Sequence, residues 1–126
     1  VRLQALRGAT TCNEDTKDEI DAKTVALVEE LLARNGVVAE DVVSVIFTTT
    51  PDLTAEFPAA AARRGLGLDD VALLGAQEQN VPHGPARCIR VLVHCYSTLA
   101  RTELRHVFLE GAASLRADLA DPSDVR

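Results

Sequence analysis

The chain has 126 residues, 47% of them hydrophobic and 25% charged, which suits one globular domain whose core needs no disulfide staples. A net charge of −6 excludes a general nucleic-acid surface, because neutralising phosphates takes clustered Lys and Arg in excess. It does not exclude a small anionic ligand, which meets only local charge.

Residues 2–7, RLQALR, read as a strand with Leu3, Ala5 and Arg7 on one face, and Gly8 marks its end. Thr16 and Glu19 have capping-box spacing. Ile20, Thr24, Leu27, Val28, Leu31 and Leu32 then follow as one apolar stripe, and Asn35-Gly36 supplies a left-handed stop. A helix over 16–35 covering a sheet is expected. VVSVIFTTT, 42–50, is a β-branched run whose continuity predicts burial on both faces. FPAAAARRG reads as a second helix, with Pro58 preset for its first turn, Gly65 near its stop and Phe57 as an apolar staple into the core. DDVALLG, 69–75, is a short strand, and QEQNVPHGP a polar connection. Residues 86–97 form a strong strand, RHVFLE, 105–110, a last one, and 111–116 a short helix or turn. The first crossover is expected to be parallel and the later strands hairpin neighbours, an α/β (α+β) order. Residues 1–118 are read as a single domain and the polar 119–126 as a flexible tail.

The three cysteines, Cys12, Cys88 and Cys95, are odd in number and lack CxxC spacing, so neither a disulfide framework nor a zinc site is implied. The three histidines stand over ten residues apart without an acidic cluster. There is no apolar leader and no apolar run of about 20 residues, so neither a signal peptide nor a membrane span is expected and the cytoplasm is the default compartment. Of 13 basic residues only Lys17 and Lys23 are lysine. Arginine forks match carboxylates bidentately, although a GC-rich genome produces the same bias.

The informative stretch is CIRVLVH, 88–94. Alternation puts Cys88, Arg90, Leu92 and His94 on one face and Ile89, Val91, Val93 and Cys95 on the other. A guanidinium cannot be deprotonated, and burying it unpaired is costly. Arg7 repeats the situation on the first strand. Each alone fits a snorkelling residue or an internal ion pair; together they admit an anion site. Glu78, in the polar connection, is either solvated or faces Arg90 across a pocket. Spacing by itself ends at an α/β domain with an Arg-lined carboxylate site.

Four motifs carry a resemblance: RLQALRGATT at the start, TTTPDLTAEFPAAAAR in the middle, QExxVxxG followed by CIRVLVH, and RHVFLEGAASLRADL late in the chain. In this order, from about Arg2 to Leu119, they resemble the monofunctional bacterial chorismate mutases of the AroH class. The resemblance implies a mixed β-sheet with helices on one side, a homotrimeric pseudo α/β barrel and active sites at subunit interfaces. It implies the Claisen rearrangement of chorismate to prephenate, which feeds phenylalanine and tyrosine synthesis, without cofactor, metal or covalent intermediate. By the same resemblance Arg7 contacts a substrate carboxylate, Arg90 reaches the ether oxygen and the pyruvyl carboxylate, and Glu78 meets the ring hydroxyl. Phe57, Ala59, Leu73, Leu74 and Leu115 form walls, and Arg63 and Arg116 stand near the mouth. The chain departs from the family pattern where Phe108 replaces a common tyrosine, Gly75 replaces Cys or Ser, and Ala60 stands where some members carry lysine. Two other readings stand beside it: a trimeric imine deaminase of related fold, which also uses an interfacial arginine on a carboxylate, and a non-catalytic binding or regulatory trimer that senses an anionic metabolite.

Overall fold

The computed structural model describes residues 1–115; Arg116 and the expected tail, 119–126, lie outside the described residues. Its elements are β1 (Arg2–Thr11), α1 (Lys17–Arg34), β2 (Val42–Thr49), α2 (Pro58–Leu66), β3 (Ala72–Gln77), β4 (Cys88–Ser97) and β5 (Val107–Phe108), with short 3₁₀ turns between. The five strands form one sheet in the order β3-β2-β4-β1-β5. Strand β4 runs antiparallel to both β1 and β2, while β2–β3 and β1–β5 are parallel pairs. The expected hairpins do not form. Strand β2 separates β3 from β4, and β1 separates β4 from β5. Of consecutive strands only β2 and β3 are neighbours, and α2 makes the crossover that a parallel pair requires.

Alternation sorts the sheet into two unlike faces. Leu6, Val45, Phe47, Val91 and Val93 are buried, and they form one core with Leu27, Val28 and Leu31 of α1 and Ala62 of α2. On the opposite face Leu3, Leu74 and Tyr96 are 56%, 62% and 48% exposed. The helices therefore cover one side. This corrects the expectation that β2 is buried on both faces: Ser44, Ile46 and Thr48 are only half-buried. A second small core, Ala9, Cys88, Phe108 and Ala112, sits on the uncovered side where the chain after β5 folds over it.

Helix α1 starts and stops where its sequence says. Thr16 Oγ1 accepts from the Glu19 N–H at 3.2 Å. The reciprocal half of the capping box is absent, because the Glu19 carboxylate accepts instead from the Asn13 N–H at 2.8 Å. At the other end Gly36 takes φ 62°, and the Asn35 amide joins the helix to the chain before β5 through Leu31 O, Arg105 O and the Arg105 N–H.

Two glycines play roles other than those expected. Gly8 does not end β1, which continues to Thr11; a Cβ there would lie 3.1 Å from Val107 O and 3.2 Å from Leu27 Cδ1, so it is a site of close approach between β5 and α1. The stop of α2 is Gly67, left-handed at φ 66°, and not Gly65. Gly65 lies against Val25 of α1, where a Cβ would come within 2.5 Å of Cγ2. Strand β3 begins later than expected and runs to Gln77, and β5 keeps only two residues. Phe57 is not a core staple. It is the N-cap of α2, one place too late for that motif, and it is 74% exposed.

Gly65→Ala should therefore destabilise the fold by about 1–3 kcal/mol, although alanine is the better helix former. Denaturant unfolding checks this, and adding Val25→Ala should recover part of the loss. A stabilised Gly65→Ala variant would contradict the close contact between the helices.

Candidate active site

The central strand β4 carries Arg90 on the face that the helices leave bare. In register beside it are Thr48 of β2 on one side and Ala9 of β1 on the other. Arg7, two residues before Ala9, shares that face opposite Leu92. Glu78 follows β3 directly, and its N–H donates to Thr49 O at 2.8 Å, so the sheet ladder itself fixes where its side chain starts. The two parallel strands β2 and β3 thus bring a loop carboxylate beside an arginine twelve positions later.

The Glu78 carboxylate has three partners. Thr48 Oγ1 donates to Oε2 at 2.7 Å, and the Gln79 N–H donates to Oε1 at 3.1 Å. Arg90 Nε stands 3.4 Å from the same Oε2, an ion pair by distance. Its N–H is not aligned on that oxygen, and this buried nitrogen has no hydrogen-bond acceptor among the described residues. The Thr48 hydroxyl is the largest influence holding the Glu78 carboxyl below its ordinary range; burial opposes it, and the Gln79 N–H, Arg90 and Arg7 add to it. Glu78 is thus a carboxylate at neutral pH.

A cavity of about 260 Å³ is lined by Arg7, Ile46, Thr48, Glu78, Arg90, Val91 and Leu92. A second, of about 620 Å³, lies between Arg90, Glu78, the Thr50–Asp52 turn and the 79–86 connection. Glu78 and Arg90 belong to both, so the guanidinium is neither spread into open solvent nor sealed by its acid. Two cations, one anion and apolar Ile46 and Leu92 suit a small dianion with an apolar frame.

The entrance to β4 is held firmly. Arg87 has the left-handed φ of 46°, a conformation that costs about 1–3 kcal/mol in a non-glycine residue unless its surroundings enforce it. They do. Its N–H donates to Asp52 Oδ2 at 2.9 Å, its Nε to Cys12 O at 3.0 Å, and its carbonyl accepts from the Cys12 N–H at 2.8 Å. Thr50 Oγ1 donates to Asp52 Oδ1 at 2.5 Å and accepts from the Cys88 N–H at 2.9 Å. Burial pushes the Asp52 carboxyl up, but the Thr50 hydroxyl and the Arg87 N–H together hold it below the ordinary range.

Of the residues expected at a site, Arg7, Glu78 and Arg90 come together within one chain. The others do not join them. Phe57 and Gly75 line a different cavity of about 500 Å³ with Phe47 and Pro58, and a Cβ at Gly75 would meet nothing within 4 Å. Leu74 is exposed, Leu73 and Ala59 pack on the main core, Ala60 is half-buried, and Arg63 is exposed on α2. Phe108 is closed into the small core, with Leu115 packed on it. Thr48 and Asp52 were missed by the sequence reading. Alternation through VVSVIFTTT places Thr48 opposite Phe47, which was the available signal, but it did not indicate a partner.

The chain matches the family model described as Chorismate mutase type I over residues 3–119. It belongs to that family. It is 40% identical over 118 residues to the chorismate mutase AroH of Bacillus subtilis (strain 168), covering 94% of this chain and 93% of that one. It is 42% identical over 118 residues to the chorismate mutase AroH of Thermus thermophilus, covering 93% and 96%. The solved chorismate mutase from Clostridium thermocellum Cth-682 superposes with a TM-score of 0.84 at 43% identity, covering 86% of this chain and 96% of that chain. The fold of a mixed five-stranded sheet with two helices on one side agrees with that neighbour. Among the described residues no group of three or more His, Cys, Asp or Glu is placed to hold a metal ion, and no helix is long and apolar enough to cross a membrane.

Cys88 adjoins Arg90 but is no nucleophile. Burial raises its thiol above the ordinary range more than Arg90 lowers it, and burial and Glu19 push Cys12 up to about 11. All three thiols are buried. At pH 8 the native protein should resist iodoacetamide and keep its activity, whereas the unfolded chain should take up label at all three positions. Mass spectrometry checks the count, and rapid native labelling at Cys88 with loss of turnover would contradict it.

Proposed function

We propose that this chorismate mutase rearranges chorismate to prephenate at the cavity between Arg7, Glu78 and Arg90, by binding and electrostatics without a covalent step. The observation that carries the reading is a rigidly presented guanidinium whose buried Nε has no acceptor among the described residues, on a side chain that lines a cavity with a second arginine and a carboxylate. In the rearrangement the breaking C–O bond places negative charge on the ether oxygen. A guanidinium aimed there stabilises the transition state more than the substrate, which is the requirement for accelerating a step. Arg90 also takes the pyruvyl carboxylate, Arg7 a substrate carboxylate and Glu78 the ring hydroxyl.

The magnitudes require more than Arg90. A rate gain of roughly 10⁶ corresponds to about 8 kcal/mol, and one charge-assisted hydrogen bond contributes roughly 1.5–3 kcal/mol. Selection of the compact, chair-like conformer by walls and by Arg7 supplies the remainder. Within one chain the proposed walls Phe57, Ala59, Leu73 and Leu74 do not line the Arg90 cavity, and Leu115 packs on the small core beside it. Exposed Phe57 and Leu74, and a sheet face bare of helices, support an assembly in which a second copy completes the site. We place the protein in a homotrimer of pseudo-barrel form, in the cytoplasm, serving phenylalanine and tyrosine synthesis. Arg63 and Arg116 are assigned to the mouth. Gly75 and Phe108 leave Glu78 and the carboxylates without side-chain help that other members have.

The test is loss of the ultraviolet absorbance of chorismate with prephenate formed. Arg90→Lys should lower kcat/KM by about 10²-fold or more, because a point ammonium on another stem cannot serve both oxygens. Near-normal turnover in that variant would refute the role. Chorismate binding without turnover in the unaltered protein would favour the metabolite-binding trimer.

A further inference from the structure

We infer that Thr48 is a positioning residue for the rearrangement: its hydroxyl holds the Glu78 carboxylate back from a closed ion pair with Arg90 and so keeps the guanidinium available for substrate. The inference rests on the proposed roles of Arg90 and Glu78 and adds a residue to them.

The competition is visible at one atom. Glu78 Oε2 accepts the Thr48 hydroxyl at 2.7 Å, and Arg90 Nε lies 3.4 Å from that same oxygen without aligning its N–H on it. A charged N–H to a carboxylate settles at about 2.7–2.9 Å when nothing opposes it. The neutral hydroxyl therefore occupies the position that the guanidinium would otherwise take. A buried, unsatisfied donor on a charged group is costly, and such defects are retained at sites where function uses them. The other Glu78 oxygen is fixed by the Gln79 N–H, so the carboxylate cannot turn away from both. Thr48 owes its place to the register of β2, which sets it directly beside Arg90 on β4. It lines the 260 Å³ cavity with the charged residues.

Removing the hydroxyl while keeping the shape, in Thr48→Val, leaves Oε2 with Arg90 Nε as its nearest donor. The carboxylate then closes on the guanidinium, and each substrate must break that pair before Arg90 can meet its oxygens. Thr48→Ser keeps the hydroxyl and should restore the arrangement.

The experiment has two readouts. In turnover of chorismate, Thr48→Val should lose about tenfold in kcat/KM, since the pair must be broken before substrate is bound, and Thr48→Ser should stay within about twofold of the unaltered protein. In proton NMR without substrate, the Arg90 Nε–H resonance, assigned by its disappearance in Arg90→Lys, should move downfield in Thr48→Val and stay in place in Thr48→Ser. Wild-type-like kcat/KM in Thr48→Val overturns the inference, as does a loss of activity without that resonance shift, which assigns Thr48 to strand packing alone. The resonance needs no chorismate, so the two failures are distinguishable: an unaltered protein that does not turn over chorismate sinks the functional reading and the role built on it, whereas an unmoved resonance in Thr48→Val overturns the hold of Thr48 on Glu78.

Discussion

A guanidinium in the middle of a central strand is the constraint around which this molecule is organised. It cannot shed its charge, and the sheet does not let it reach bulk water freely. One carboxylate, Glu78, approaches it without satisfying its Nε. The remaining demand is for an anion that the described residues do not provide, and Arg90 lines a cavity beside it.

The fold meets this demand by separating support from chemistry. Every large residue on the helix side of the sheet is committed to packing: Leu6, Val45, Phe47, Val91 and Val93 against α1 and α2. The opposite face holds the charges and stays uncovered. Antiparallel β4 between β2 and β1 puts Thr48, Arg90 and Ala9 in one row, with Arg7 two residues before Ala9 on the same face and Glu78 two residues beyond Ala76, the β3 partner of Thr48. The strained Arg87 and its ties to Asp52 and Cys12 fix the entry of β4 one residue before Cys88 and three before Arg90. A loosely held arginine would lose much of the benefit, since stabilising developing charge depends on donors that need not reorganise.

Local chemistry made several features legible. The ends of α1 follow from Thr16 and Asn35-Gly36, and the two faces of β4 follow from alternation, including the place of Arg90. Features set by distant contacts were not legible. Both neighbours of β4, β1 and β2, come from the first half of the chain and not from the strands next to it in sequence, so hairpins were expected where none exist. Gly8 and Gly65 looked like stops because their reason is a close approach to Leu27 and Val25, which spacing cannot reveal. Phe57 looked like a staple, and one residue of difference at the start of α2 turned it outward. Glu78 and Arg90 are twelve residues apart, and only the strand order β3-β2-β4 unites them. The resemblance of four motifs gave their pairing as an expectation; the residues alone left it open.

The most direct test of the whole account is a crystal structure of the protein with a bicyclic dicarboxylate that mimics the chair-like transition state. The ether oxygen of the mimic should lie within hydrogen-bond distance of the Arg90 guanidinium, with Arg7 on a carboxylate, Glu78 on the hydroxyl, and Phe57 and Leu74 of a second copy closing the other side. A mimic seated elsewhere, with Arg90 still facing only Glu78, would contradict it.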